Sequence, residues 1–211
     1  MKILSIDTCG DSCGVCLWDG RIASAKAESM PRGQDARIMP MIREVMGTEA
    51  LEGLDKIVVT KGPGSFTGTR IGIAVALGMG FGLGKPVLGV DRFEAYYRLH
   101  SKSESEDLII VLDSMREELF CCIYKKGMDR KIQMLRKEAI ELLIDNNKEA
   151  TITGDVNIGS AKYKEYNPKD VLEMIAIIAS QADIKDDRYR PVPLYVREPD
   201  VSVPKNKGAR A

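Results

Sequence analysis

The sequence predicts an α/β fold of two similar lobes, with mixed sheets and flanking helices, and three observations carry that reading. Up to Val90 the chain runs through three strands, a helix, a strand, a helix and a strand. The order then begins again at Leu108. In both halves the first strand ends in an acid followed by a hydroxyl residue: Ile3 to Ile6 leads into Asp7-Thr8, and Leu108 to Leu112 into Asp113-Ser114. The repeat is weak in residue identity and stronger in topology. Residues 1–100 form the expected first lobe and residues 101–198 the second, with a hinge in the polar stretch Ser101 to Asp107. Residues 199–211, with Lys205, Lys207 and Arg210 among small and polar residues, are expected to be a disordered tail.

Each element has a local reason. Lys2 to Thr8 is apolar. A turn at Cys9 to Ser12 leads to Cys13 to Trp18, and Asp19-Gly20 is a hairpin signal before Arg21 to Glu28. Asp35 is the expected N-cap of a helix to about Met46, with Ile38, Ile42 and Val45 on one face and Pro40 bending its first turns. Lys56 to Thr60 reads as a strand, Thr69 to about Leu83 as a helix and Pro86 to Val90 as a strand. In the second half Glu118 to Lys125 and Lys131 to Leu135 are strands joined near Gly127. A short helix at Lys137 to Ile144 and a strand at Ala150 to Thr153 follow. Asn167-Pro168 supplies an N-cap and a first-position proline for a helix to about Ser180, with Val171, Leu172, Ile175 and Ile178 inward. Three strands, helix, strand, helix, strand is the ribonuclease-H-like arrangement from which each lobe of the actin/Hsp70/sugar-kinase superfold is built.

The most informative run is Gly62-Pro63-Gly64-Ser65-Phe66-Thr67-Gly68-Thr69-Arg70-Ile71-Gly72. It fits no standard phosphate loop, because a Walker motif begun at Gly62 would need glycine and lysine where Thr67 and Gly68 stand. The dinucleotide fingerprint fails too, since Gly62 and Gly64 are followed by Thr67. Thr67 or Thr69 can cap the next helix, whose positive end suits an anion or a partner's carboxylate. Local chemistry leaves a tight connection and a ligand loop both open.

This run resembles the signature of the TsaB (YeaZ) family, members of the actin/Hsp70/sugar-kinase superfold that help make threonylcarbamoyladenosine in tRNA. The similarity extends to Ile3 to Thr8, to Arg37-Ile38-Met39-Pro40-Met41-Ile42 and to Pro193-Leu194-Tyr195-Val196-Arg197. It is dense over residues 1–98 and thin beyond. The resemblance implies a non-catalytic subunit that pairs with the paralogous transferase TsaD, the subunit that moves the threonylcarbamoyl group onto N6 of adenosine. An ATPase subunit, TsaE, completes the complex. It further implies a homodimer when the chain is alone, indirect contact with tRNA, and ATP at the complex interface if anywhere, with no cofactor on this chain by itself. Catalytic relatives carry a His-x-x-x-His metal pair on the first-lobe helix; here the only histidine is His100, and Gln34 stands where many family members have a single histidine.

Composition narrows the alternatives. The 211 residues include 31 lysines plus arginines and 31 acids, so there is no whole-chain field to gather nucleic acid. The chain is expected to add little to tRNA affinity through phosphates. No signal peptide or membrane span is read, and five cysteines, two of them adjacent, suit a reducing compartment; the expected location is cytoplasmic. Cys9, Cys13 and Cys16 have iron-sulfur spacing, but Cys13 and Cys16 on one strand face apart, as do Cys121 and Cys122, so packing is the preferred role. Asp7 closes a turn, with no converging acids for two-metal chemistry. A small phosphotransferase or ATPase, using Asp7-Thr8 and Asp113-Ser114 as phosphate-facing turns, is the alternative. A peptidase is weaker still, lacking zinc ligands and a nucleophile-base pair.

The helix after the signature is apolar on every side, with Gly72, Ala76 and Gly80 on one small-residue stripe. Interior glycines cost up to about 1 kcal/mol each, so packing must hold it. The expected partner interface is Ile38, Met41, Ile42 and Val45 of the first helix with Gly72, Ile73, Ala76 and Gly80 of the second. Enlarging Ala76 or Gly80 to leucine is then expected to weaken association more than stability. Burial inside the chain's own lobe is the other reading.

Overall fold

A computed structural model describes residues 1–100, 107–125, 128–160 and 162–196. The expected hinge lies outside the described residues up to position 106, as do the turn near Gly127 and the tail from Pro199.

The first half contains β1 (Ile3–Asp7), β2 (Ser12–Trp18), β3 (Ile22–Ser29), α1 (Gln34–Met46), β4 (Lys56–Thr60), α2 (Phe66–Leu83), β5 (Val87–Val90) and α3 (Arg92–His100). Its sheet has the order β3-β2-β1-β4-β5, antiparallel through the meander and parallel from β1 to β5. The second half contains β6 (Leu108–Leu112), β7 (Leu119–Tyr124), β8 (Lys131–Leu135), α4 (Lys137–Asp145), β9 (Thr151–Gly154), β10 (Tyr163–Lys164) and α5 (Pro168–Gln181). Its sheet, β10-β9-β6-β7-β8, repeats the mixed pattern with β6 in the place of β1. The two-lobed α/β architecture is therefore present.

Period-two alternation divides the core. Leu4, Ile6, Val15, Ile57 and Val59 point from the first sheet toward α1 and α2, whereas Ile3, Cys16 and Val58 point the other way. On that other face lies α5, which belongs to the second half and packs on β1, β2 and β4; α3, from the first half, packs on β6 and β9. The two helices touch between the sheets, and Phe93, Tyr96, Ile110, Leu112, Leu172 and Ile175 share one buried cluster. Each half thus lends one helix to the sheet of the other.

Three local expectations need correction. The α1 N-cap is Gly33, in the left-handed region at φ 91°, and Asp35 sits inside the first turn, where its charge suits the helix's positive end. α2 starts at Phe66, three residues before Thr69, because Ser65 rather than Thr67 or Thr69 accepts from the Gly68 N–H. α3 has no counterpart in the sequence reading: Arg92, Glu94 and Arg98 interrupt its apolar pattern. At Asn167-Pro168 the expectation holds, and the Asn167 side chain accepts from the Lys169 N–H.

Candidate functional site

The signature run is a tight connection packed onto the turn after β1. The Ser65 N–H donates to the Cys9 carbonyl at 2.6 Å, and the Thr8 hydroxyl donates to the Gly68 carbonyl at 2.7 Å. A Cβ at Gly64 would lie 2.2 Å from the Cys9 oxygen, and one at Gly68 would lie 2.0 Å from the Thr8 oxygen. These glycines therefore serve an approach of backbone to backbone. Gly62 has φ 101°, a conformation that favours glycine, and Pro63 follows it through a cis peptide bond.

Lys61, just before this run, and Arg70 within it meet Leu194 and Tyr195. Leu194 N–H donates to the Lys61 carbonyl, and Tyr195 accepts from Arg70 Nε through its hydroxyl at 2.9 Å. The Arg70 guanidinium lies 3.8 Å from the Phe66 ring centroid, with Phe66 and Tyr195 5.2 Å apart. Arg32, Ser65, Thr67, Arg116 and Tyr195 border a crevice of about 640 Å³ there.

The candidate acids are engaged. Asp7 Oδ1 accepts from the Cys9 N–H and the Thr60 hydroxyl, which makes the carboxylate a turn closure. Asp113 closes its own turn by accepting from Met115 N–H. In α1 the Gln34 amide donates to the Met30 carbonyl, and Ile38, one turn on, is fully buried. Among the described residues no three of His, Cys, Asp and Glu gather where they could hold a metal. Burial lowers the pKa of His100.

All five cysteines are free and buried. Cys13 and Cys16 face opposite sides of the first sheet, and Cys121 and Cys122 opposite sides of the second. Burial pushes Cys9, Cys13 and Cys16 up to about 11 and Cys121 and Cys122 to about 12. At about pH 8 iodoacetamide is therefore expected to leave all five unmodified in the folded chain while labelling them in denaturant. Mass spectrometry checks this, and prompt labelling of the folded chain would contradict it.

The expected interface list needs the largest correction. Ile38, Met41, Ile42, Val45, Ile73 and Ala76 lie in the chain's own core, and a Cβ at Gly72 or Gly80 would meet Thr8 Oγ1 at 2.5 Å or Val87 Cγ2 at 2.2 Å. The small stripe lets α2 settle on its own sheet. The opposite side of α2 carries Phe66, Arg70, Ala74, Leu77 and Phe81, at spacings that share one face. Phe81 is 93% exposed and Leu77 44%, while Met39 on neighbouring α1 is 48% exposed. The sequence reading missed these residues, although the four-residue step from Leu77 to Phe81 was visible. By length and composition alone α2 is also long and apolar enough to cross a membrane, contrary to that reading.

A model of the family described as tRNA N6-adenosine threonylcarbamoyltransferase, TsaD, matches residues 28–186. The tRNA threonylcarbamoyladenosine biosynthesis protein TsaB of Escherichia coli is 32% identical over 129 residues, covering 60% of this chain and 56% of that protein. The protein of the same name from Haemophilus influenzae is 29% identical over 126 residues, covering 57% and 52%. The chain thus spans about half the length of these curated relatives. Among solved structures, YeaZ from Pseudomonas aeruginosa shares the fold with a TM-score of 0.66, covering 92% of this chain and 99% of that one at 24% identity.

Proposed function

The chain belongs to the tRNA N6-adenosine threonylcarbamoyltransferase (TsaD) family, in its TsaB (YeaZ) branch, and from that premise we propose that it is a non-catalytic subunit that docks on a larger paralogous transferase. The observation that carries this reading is the two-sidedness of α2. One side is held in the chain's own core by Gly72, Ile73, Ala76 and Gly80, and the other presents Leu77 and Phe81 to solvent beside α1. A phenylalanine left 93% exposed on an ordered helix is suited to anchor a partner.

In this reading the partner is TsaD, TsaE supplies ATP turnover, and ATP binds at the complex interface rather than on this chain. The same α2 face pairs two copies when the chain is alone. tRNA is reached through the complex, in the cytoplasm, and the equal numbers of basic and acidic residues support a small direct share in binding phosphates.

Reconstitution tests the division of labour. Added to the transferase and ATPase of its own host, the chain is expected to raise threonylcarbamoylation of tRNA, while alone it neither turns over ATP nor transfers the group. Robust turnover by the chain alone, abolished by Asp7→Ala, would overturn the assignment.

A further inference from the structure

Asp91 and Arg92 follow β5 directly, carry opposite charges, and are only 5% and 2% exposed. Each pairs with the second half of the molecule. Arg130 Nη1 donates to both Asp91 oxygens at 3.0 and 2.9 Å, and Arg92 Nη2 lies 2.8 Å from Asp155 Oδ2. Asp155, just past β9, also accepts from the Asp113 N–H after β6. On the first half, Arg92 donates to the signature loop twice, from its N–H to the Gly62 carbonyl at 2.8 Å and from Nη1 to the Pro63 carbonyl at 3.3 Å. Gly10, after β1, comes close enough that a Cβ there would stand 3.3 Å from Nη2.

The segments that follow β1, β4 and β9 thus meet at one guanidinium, and the segment after β6 joins them through Asp155. Carboxyl ends of strands are where open α/β sheets receive ligands, and here an internal side chain fills the place. The planar fork of arginine can hold a carboxylate and a carbonyl in fixed directions, which a lysine cannot.

We propose that Arg92 is a positioning residue: it holds the Gly62–Ser65 loop, and with it the start of α2, against the second sheet, so that the contact between the two halves sets the docking face. The consequence for docking rests on the function proposed above, whereas the effect on the loop does not.

The test uses the full chain. Arg92→Met alone leaves the buried Asp155 without its counter-charge and is expected to melt early. Arg92→Met combined with Asp155→Leu removes both charges and is expected to recover most of that loss, with the Arg130–Asp91 pair still joining the halves. Arg92→Lys keeps the charge without the second prong. In the double variant and the lysine variant, hydrogen exchange at the amides of residues 64–69 is expected to quicken by about tenfold or more while β1 and β6 keep their protection. Affinity for the transferase is expected to fall by about tenfold in parallel.

A folded double variant with wild-type exchange in the loop overturns the proposal. Faster exchange with unchanged affinity overturns the link from loop to docking. If the wild-type chain does not bind the transferase at all, the docking reading fails, and the exchange measurement on the isolated chain still decides the role of Arg92.

Discussion

Gly68→Ala is expected to destabilise the chain by roughly 3 kcal/mol or more, lowering the melting temperature by about 6–12 °C. The new Cβ would stand 2.0 Å from the Thr8 carbonyl oxygen, a backbone atom just past the end of a central strand that no rotamer change can move aside. Ala76→Leu should act in the same direction, since Ala76 is fully buried between α2 and the first sheet. Two glycines of the same helix should behave oppositely. A Cβ at Gly78 or Gly82 meets nothing within 4 Å, so alanine there is expected to stabilise the isolated chain by about 0.5–1 kcal/mol through helix propensity. Melting curves of the four variants check the pattern. If Gly68→Ala and Ala76→Leu melt like wild type while association suffers, the small-residue stripe belongs to an interface after all.

Phe81→Ser, alone and with Leu77→Ser, is expected to do what the stripe substitutions do not. Both side chains are solvent-facing in the single chain, so the melting temperature should change little, whereas affinity for the transferase should fall about 30-fold, or about 2 kcal/mol, as for a central aromatic anchor. Self-association should weaken alongside, because the same face is proposed to serve both. Sedimentation of the chain alone and with the transferase measures the two effects. Unchanged affinity in the double variant would remove α2 as the docking element.

Local pattern alone was enough for much of the fold. The boundaries of β4, β6 and β8 were legible because short β-branched and apolar runs are bounded by polar residues, and α5 because Asn167-Pro168 is a chemical start signal. The opposed faces of Cys13 and Cys16 followed from the strand period. The Gly62–Gly72 run announced itself as special and carried the family resemblance.

What fills the space beside those glycines was not legible. Gly64 and Gly68 admit a close approach, but only the folded chain decides that Thr8 and Cys9, far earlier in the sequence, make it. For α2 the local pattern was silent in a different way: a helix apolar on every side has no period from which to read a direction, so the inward face was set by its fit over Val59 and Val87, leaving Phe81 outside. The pairing of Arg92 with Asp155 likewise joins residues 63 positions apart from different halves of the chain. Sequence by itself determined most of the segments that form strands and helices, α3 and β10 apart, because those choices depend largely on neighbours along the chain. Tertiary structure alone decided which faces are buried and which charges meet, because those depend on the distance between segments in space.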